Sequence, residues 1–386
     1  MTVKRIGVLT GGGDVPGLNS AIKGIAEAAH IEGYEILGIC RGWEGLTHIN
    51  FDDPASVARY TMHLDRTNTL TIDRWGGTVL HTSRTNPAKM KSLPDHLKDT
   101  TFPQKGSTLD VTQQVLKNIE KLEIDCLITM GGDDTLSFSS VLNNLGVPIV
   151  AIPKTMDNDV RDTEYCLGFA TAITRAVDAI QRQRSTVASH ERIGIFRVFG
   201  RDAGYTSLYT AMMTSIRCAI PEFTFNLDKM IDLVMEDKEH NPSRYSLVVL
   251  SEGATWEGYS LGEYGEPDAY GHRKKRNVGE DFGAEVRERT KQETVISDLT
   301  YELRSGEADF IDKMVATTYG NMAVECIWNK QTGVMTAIQS GCYAIVPIPD
   351  PGLGPRHIDI KTMFDTERYR PSYSNKLGLP LFLTRA

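Results

Sequence analysis

The sequence predicts an α/β protein with mostly parallel sheets, arranged in two domains. Three observations carry this. Short apolar strand patterns alternate with longer helical periodicities along nearly the whole chain, the order that builds parallel sheets. The opening unit already reads strand, glycine turn, helix, strand. The 386 residues also exceed what one core usually serves, since single cores stop growing near ~250–300 residues.

Taken in order, residues 6–10 are an apolar strand, and GGGDVPGLN (11–19) follows it. Over 18–33, Leu18, Ile22, Ile25, Ala26 and Ala29 share one helical face, and Gly33 stops the helix. Residues 34–39 are the next strand. RGWEGL (41–46) reads as a loop, 55–64 as a helix, and GGTVLHTSR (76–84) as a short strand between loops. Residues 85–108 carry three prolines and many polar groups, the mark of an irregular surface excursion. A helix over 110–122 leads to the strand 124–130, a helix over 135–145 and a strand over 147–152. Further on come a long helix (167–186), a strand (193–199), helices over 203–214 and 227–239, and a strand (246–251). The Gly-, Tyr- and charge-rich stretch 258–276 reads as a mobile loop. Helices over 281–291 and 310–328 and strands over 334–338 and 343–346 complete the series.

Composition narrows the function classes. The net charge of −8 argues against a general nucleic-acid or membrane-surface binder. The six cysteines form no CxxC pair, and Cys40, Cys126, Cys166, Cys218, Cys326 and Cys342 are expected as reduced thiols of a cytoplasmic protein. The chain enters a strand pattern directly, with no signal peptide expected. No apolar run approaches the roughly 20 residues of a membrane helix.

The polar and glycine-rich parts of the apolar segments fall at strand C-termini, where open α/β sheets bind ligands. These are Gly11–Gly13, Gly131–Thr135, Lys154–Asp159, Gly200–Gly204 and Glu252. GGGD before a helix can offer backbone N–H groups to a phosphate. In GGDDT, the glycines allow close approach and Asp133 can hold Mg²⁺ through oxygen. The plainer alternative is a helix N-cap supplied by Asp133 or Thr135. In PKTMDND, Asp157 can take a hydroxyl proton and Thr155 can bind a phosphate or the same hydroxyl. The alternative there is an Asx-type turn, although Lys154 is unexpected in a plain one. Arg84, Arg192, Arg201 and Arg304 each sit beside a strand end or tight turn, where guanidinium forks match phosphate oxygens. Any one of them could equally form a surface ion pair.

In order, GGGDVPGLN, GGTVLHTSR, GGDDT, PKTMDND, SHERI, FGRDAG, LSEG and YELRSG resemble the motif series of the phosphofructokinase family. That family transfers a phosphoryl group to the 1-hydroxyl of fructose 6-phosphate. The resemblance implies two Rossmann-like three-layer domains with the site in the cleft between them. Residues 1–166 plus about 280–350 would bind the phosphoryl donor, and 167–279 plus about 351–386 the sugar phosphate. At matching positions it implies Asp157 as general base, supported by Asp159, with Thr155 contacting substrate. Asp133 matches the Mg²⁺ carboxylate. Gly13 and Arg84 match donor-phosphate contacts, and Arg201 the transition-state arginine. Phe199 and Gly200 would line the sugar pocket, and Glu252, Tyr301 and Arg304 would contact the sugar phosphate. Arg192 matches a residue that enters the neighbouring subunit's site, so a homodimer or homotetramer is implied.

Two positions bear on the donor. ATP-using bacterial members usually have GGDG and PGTxDND, whereas this chain has Asp134 and Lys154, the pattern of pyrophosphate-dependent members. A carboxylate at Asp134 would repel a nucleotide's α-phosphate. Two unit charges about 4 Å apart cost ~1 kcal/mol in water and about 4 at an effective dielectric of 20. The upper value is roughly a thousandfold in affinity. Lys154 supplies a positive charge for compact pyrophosphate. Two departures from the family pattern stand out. Val295 occupies a position where the family often has an arginine, with Arg287, Arg289 or Lys291 as possible substitutes. The first helix has Lys23 but Glu27 where bacterial ATP enzymes carry basic effector-binding residues. Trp43 falls where members have an aromatic near the adenine space, or it anchors a loop.

The sequence therefore points to reversible, Mg²⁺-dependent transfer from pyrophosphate to fructose 6-phosphate. The rivals are an ATP-dependent member of the same family, a lipid or NAD kinase using a GGD-type turn, and a non-catalytic sugar-phosphate or nucleotide sensor.

Overall fold

The structure, a computed structural model, describes residues 4–260, 262–266 and 273–372. Parts of the expected mobile loop (261 and 267–272) and of the expected sugar-phosphate domain (373–386) lie outside the described residues, as do residues 1–3.

The first half of the chain runs β1 (Arg5–Thr10), α1 (Leu18–Glu32), β2 (Glu35–Ile39), α2 (Trp43–His48), α3 (Pro54–Tyr60), β3 (Thr61–Leu64), α4 (Thr112–Lys121), β4 (Cys126–Gly131), α5 (Asp133–Asn144) and β5 (Ile149–Pro153). The second continues with α6 (Phe169–Ser189), β6 (Ile193–Val198), α7 (Tyr205–Thr214), β7 (Arg217–Ala219), α8 (Leu227–His240), β8 (Ser246–Ser251), α9 (Val278–Thr290), β9 (Thr294–Asp298), α10 (Tyr301–Arg304), α11 (Phe310–Trp328), β10 (Val334–Gln339) and β11 (Cys342–Pro347). A seven-stranded sheet has the order β11-β10-β5-β4-β1-β2-β3. Its inner pairs are parallel, and β3 and β11 close its edges antiparallel. A four-stranded, all-parallel sheet has the order β9-β6-β8-β7.

Strands covered on both faces read as unbroken apolar runs. CLITMG in β4 and SLVVLS in β8 are buried at every position. Helix α1 ends as expected, with Gly33 left-handed at φ 76° and its N–H bonded to Ala29 O and His30 O. It crosses α11 very closely. A Cβ on Gly320 would lie 2.6 Å from Ala21 O, so only glycine fits there. Asp312 of α11 is fully buried and accepts from Tyr165 Oη, Gly168 N and the N–H and hydroxyl of Thr171, which pins the start of α6.

Three local expectations change. Residues 43–48 form a helix, because Trp43 (1% exposed) packs edge-on against Phe138 at 4.9 Å and draws the segment into the core. The 55–64 helix stops at Tyr60, and Thr61–Leu64 pair with β2 instead. No strand forms within 76–84; Gly12 N–H binds Ser83 O, so this stretch serves as a wall of the glycine turn. Strand β9 pairs with β6 in the smaller sheet, although the division drawn from the sequence grouped residues from about 280 with the donor side. Its partner is set by Thr294–Asp298 lying in register with Ile193–Arg197.

Candidate active site

The site is built where strand C-termini from both sheets converge. At the end of β1, Gly11 N–H binds Met130 O at 2.9 Å, and Gly12 adopts φ 78°. Lys154, at the end of β5, bridges into this turn. Its N–H binds Gly131 O at 3.0 Å, and its ammonium donates to Gly13 O. Lys154 is 4% exposed. Burial, then the Arg304 and Arg84 charges, push its ammonium down to about 7, against the pull of Asp14 and Asp134. A Cβ on Gly13 would lie 2.7 Å from Arg304 Nη1. The glycine thus lets the backbone of one sheet meet a guanidinium from the segment after β9.

Helix α5 starts directly at the acids. Its N-cap is Gly132, with no side-chain cap, so neither Asp133 nor Thr135 is spent on capping. Thr135 Oγ1 is buried without a hydrogen-bond partner and sits 2.5 Å from where a Gly11 Cβ would be. Burial, then Asp159, Asp134 and Asp202, push the Asp133 carboxyl up to about 7, opposed by Arg161. Burial and Asp202 likewise bring Asp159 up to about 6, while its own N–H, Arg356 and His357 pull it down.

The turn after β5 presents Asp157. Its N–H donates to Thr155 Oγ1 at 3.2 Å, and its Oδ1 is buried with no partner. Burial, then Asp159 and Glu252, hold its carboxyl well above the usual range, with Arg304 and Arg201 pulling the other way. An Asx turn would have this side-chain oxygen accept a backbone N–H, so the unpartnered Oδ1 does not fit a plain one.

The second sheet closes the site. Glu252 N–H binds Val198 O at 2.9 Å, and Gly253 N–H binds Gly200 O at 3.0 Å, which folds the Phe199–Gly200–Arg201 loop back over β8. Arg304 lies over the Phe199 ring at 4.7 Å, and its Nη2 reaches Met156 Sδ at 3.4 Å. Burial lowers its affinity for its proton, and Asp14 and Asp157 restore part of it. Tyr301 is 76% exposed, its ring 5.9 Å from the same guanidinium.

The structure therefore brings Gly13, Asp133, Asp134, Lys154, Thr155, Asp157, Phe199, Gly200, Arg201, Glu252 and Arg304 together, with the Arg84 charge acting on Lys154 and Arg304. It does not bring Arg192. That residue lies before β6, roughly 20 Å from the strand's C-terminal end at 3.3 Å per residue, and pairs with Glu293 at 2.6 Å. Val295 sits at the same far end, opposite Gly194. Arg287 bonds Thr294 Oγ1 beside it at 2.6 Å, while Arg289 pairs with Glu285 and Asp228.

Several contributors carried no assignment from the sequence. Arg197, only 9% exposed, holds Glu252 at 3.0 Å and Asp298 at 2.6 Å. A charge on the Ile193–Ile195–Arg197 face of a buried strand was the available signal. Asp14, Arg161 and Asp202 add charge around Lys154 and Asp133. Among the described residues no group of three or more His, Cys, Asp or Glu forms a full metal cage. No helix there is long and apolar enough to cross a membrane.

The phosphofructokinase family profile matches residues 5–327. The chain is 34% identical over 351 residues to the pyrophosphate–fructose 6-phosphate 1-phosphotransferase of Dictyoglomus thermophilum, covering 90% of this chain and 92% of that one. It is 32% identical over 349 residues to the ATP-dependent 6-phosphofructokinase 3 of Streptomyces coelicolor, covering 90% and 94%. Its fold is similar to the solved pyrophosphate-dependent phosphofructokinase of Nitrosospira multiformis, with a TM-score of 0.75 at 18% identity over 96% of this chain and 89% of that one.

Proposed function

The chain belongs to the phosphofructokinase family, and from that premise we propose that it transfers a phosphoryl group from pyrophosphate to the 1-hydroxyl of fructose 6-phosphate, reversibly. Relatives of similar identity are named for either donor, so the family alone does not choose between them. The observation that carries the choice is the Lys154–Asp134 pair at the glycine turn. The Lys154 ammonium is buried against Gly13, and the Asp134 carboxylate acts on it from the first turn of α5. A compact, highly charged donor gains from Lys154. A nucleotide would bring its α-phosphate and base past Asp134. Trp43 supports the same reading, since its ring is packed into the core and offers no open platform for a base.

In this reading Asp157 takes the proton of the sugar 1-hydroxyl. Burial raises its affinity for protons, which strengthens it as an acceptor, and Arg304 and Arg201 favour the anion against that burial. Arg201 and Lys154 face the charge that spreads over the transferred group, while Thr155 orients the hydroxyl. Asp133 and Asp159 fit a divalent cation, because they are crowded, partly buried acids whose mutual repulsion the nearby Arg161, Arg356 and His357 offset only in part. Mg²⁺ held there through one or two carboxylates and the donor oxygens would neutralise phosphate charge. Phe199, Gly200, Glu252, Tyr301 and Arg304 receive the sugar phosphate. Arg192, at the opposite end of β6 from its own site, serves a neighbouring copy in a homodimer or homotetramer.

A coupled assay with fructose 6-phosphate and Mg²⁺ tests the reading. Turnover is expected with pyrophosphate. Turnover with ATP and none with pyrophosphate would contradict it.

A further inference from the structure

The tail beyond residue 350 carried no motif, yet it wraps the turn that bears Asp157 and Asp159. We propose that Arg356 is a positioning residue for phosphoryl transfer, locking that turn and tying it to the loop of Arg201. The inference rests on the reading of Asp157 as the base.

The turn needs holding. Asn158, between the two aspartates, sits at φ 55°, a left-handed conformation that persists in a non-glycine residue when its surroundings fix it. Its own side chain makes two of the fixing bonds. Nδ2 donates to Glu164 O at 3.0 Å, and Oδ1 accepts from Cys166 N–H at 2.8 Å. Arg356 makes the other two. Its backbone N–H donates to Asp159 O at 2.6 Å, and its Nη2 donates to Asn158 O, also at 2.6 Å. These bonds go to carbonyl oxygens, so what Arg356 fixes is the path of the backbone between Asp157 and Asp159.

The same residue faces the other sheet. Its guanidinium lies 4.5 Å over the Tyr205 ring, at the start of α7. Tyr205 Oη donates to His357 O at 2.7 Å, and His357 Nδ1 is 2.9 Å from Asp202 O. Ile358 N–H donates to Glu222 Oε1 at 2.9 Å, and Glu222 also accepts from Gly204 N–H. On the near side, Arg161 Nε donates to Gly354 O at 2.7 Å. The short stretch from Gly354 to Ile358 is thus bonded both to the turn carrying the base and to the GRDAG loop carrying Arg201. These two elements come from different sheets, and phosphoryl transfer requires them in register. Misplacement of a catalytic group by about 1 Å costs on the order of 100-fold in rate.

The test uses Arg356→Met and Arg356→Lys in the full chain, with kcat and KM for both substrates and Tm measured in each. The expected result for Arg356→Met is a kcat loss of about 100-fold, with KM for both substrates and Tm close to wild type. Arg356→Lys regains only part of kcat, because an ammonium keeps the charge but neither the flat stack on Tyr205 nor the guanidinium fork. A kcat within threefold of wild type (roughly 0.65 kcal/mol) in Arg356→Met overturns the proposal, as does a loss that merely follows Tm or KM. Should Arg356→Met fail to fold, Tyr205→Phe removes the single bond to His357 O. A lowered kcat at unchanged KM is then expected, and an unchanged kcat overturns the proposal. Asp157→Ser is measured alongside. If it retains kcat, the base assignment fails. If it is inactive while Arg356→Met is normal, only the positioning role fails.

Discussion

Lys154 and Asp157 show how burial converts ordinary side chains into reactive ones. With its ammonium brought down to about 7, Lys154 is partly neutral near physiological pH in the empty site. An anionic donor beside it favours the charged form. Pyrophosphate binding at about pH 7.5 is therefore expected to take up protons, by up to about one per site. Calorimetry in buffers of different ionisation enthalpy measures this, and Lys154→Met should abolish most of the uptake. At Asp157, the buried and unpartnered Oδ1 leads to a second expectation. Asp157→Ser should lose kcat by about 10³-fold or more, with substrate KM changed far less, as for removal of a general base. Equal loss of binding in steady-state kinetics would make it a structural turn. These residues were legible in the sequence because they cluster in short motifs. Arg197 and Arg356 were not, because they act through partners 55 or more residues away or on backbone carbonyls, which leave no local spacing to read.

At the scale of elements, the parallel strands were the most legible part. Unbroken apolar runs such as CLITMG carry their own burial signal. Short or edge elements were less so. β7 has three residues, and β3 is an edge whose pairing depends on β2. Strand β9 lacked a signal for a different reason. Its burial is only partial, and its neighbour β6 lies about a hundred residues earlier in the chain. The α2 segment went unread because burial of Trp43 against Phe138 is a tertiary effect. Within β6, Arg197 couples Glu252 to Asp298 from inside a strand. Arg197→Met would leave Glu252 without its paired charge beside the Phe199–Arg201 loop. The expected outcome is a rise of about tenfold or more in KM for fructose 6-phosphate, with the donor KM little changed, in two-substrate kinetics.

For the whole molecule, crowded acids tie stability to pH. Asp133 is brought up to about 7, and Asp159 and Asp312 up to about 6, all from 3.8. Between the lower and upper values the folded protein binds more protons than the unfolded chain, so stability falls as pH rises through this window. Metal-free protein is expected to show a higher Tm at about pH 5.5 than at about pH 7.5. Mg²⁺ should raise Tm more at the higher pH, where Asp133 and Asp159 are charged. Thermal scans at both values check the sign. Arg192 lies far from its own site. In the oligomer proposed here, mixing inactive Arg192→Ala and Asp157→Ser chains should restore part of the activity through hybrid sites, which a rate assay on the remixed subunits measures. Asp134 and Lys154 together set the choice of donor proposed above. The measurement for this choice is kcat/KM for pyrophosphate and for ATP, in the wild type and in Asp134→Gly combined with Lys154→Gly. The wild type is expected to use pyrophosphate, and the double variant to lose most of that activity and gain measurable use of ATP. A wild type that already prefers ATP, or a double variant with both donor efficiencies unchanged, would contradict it.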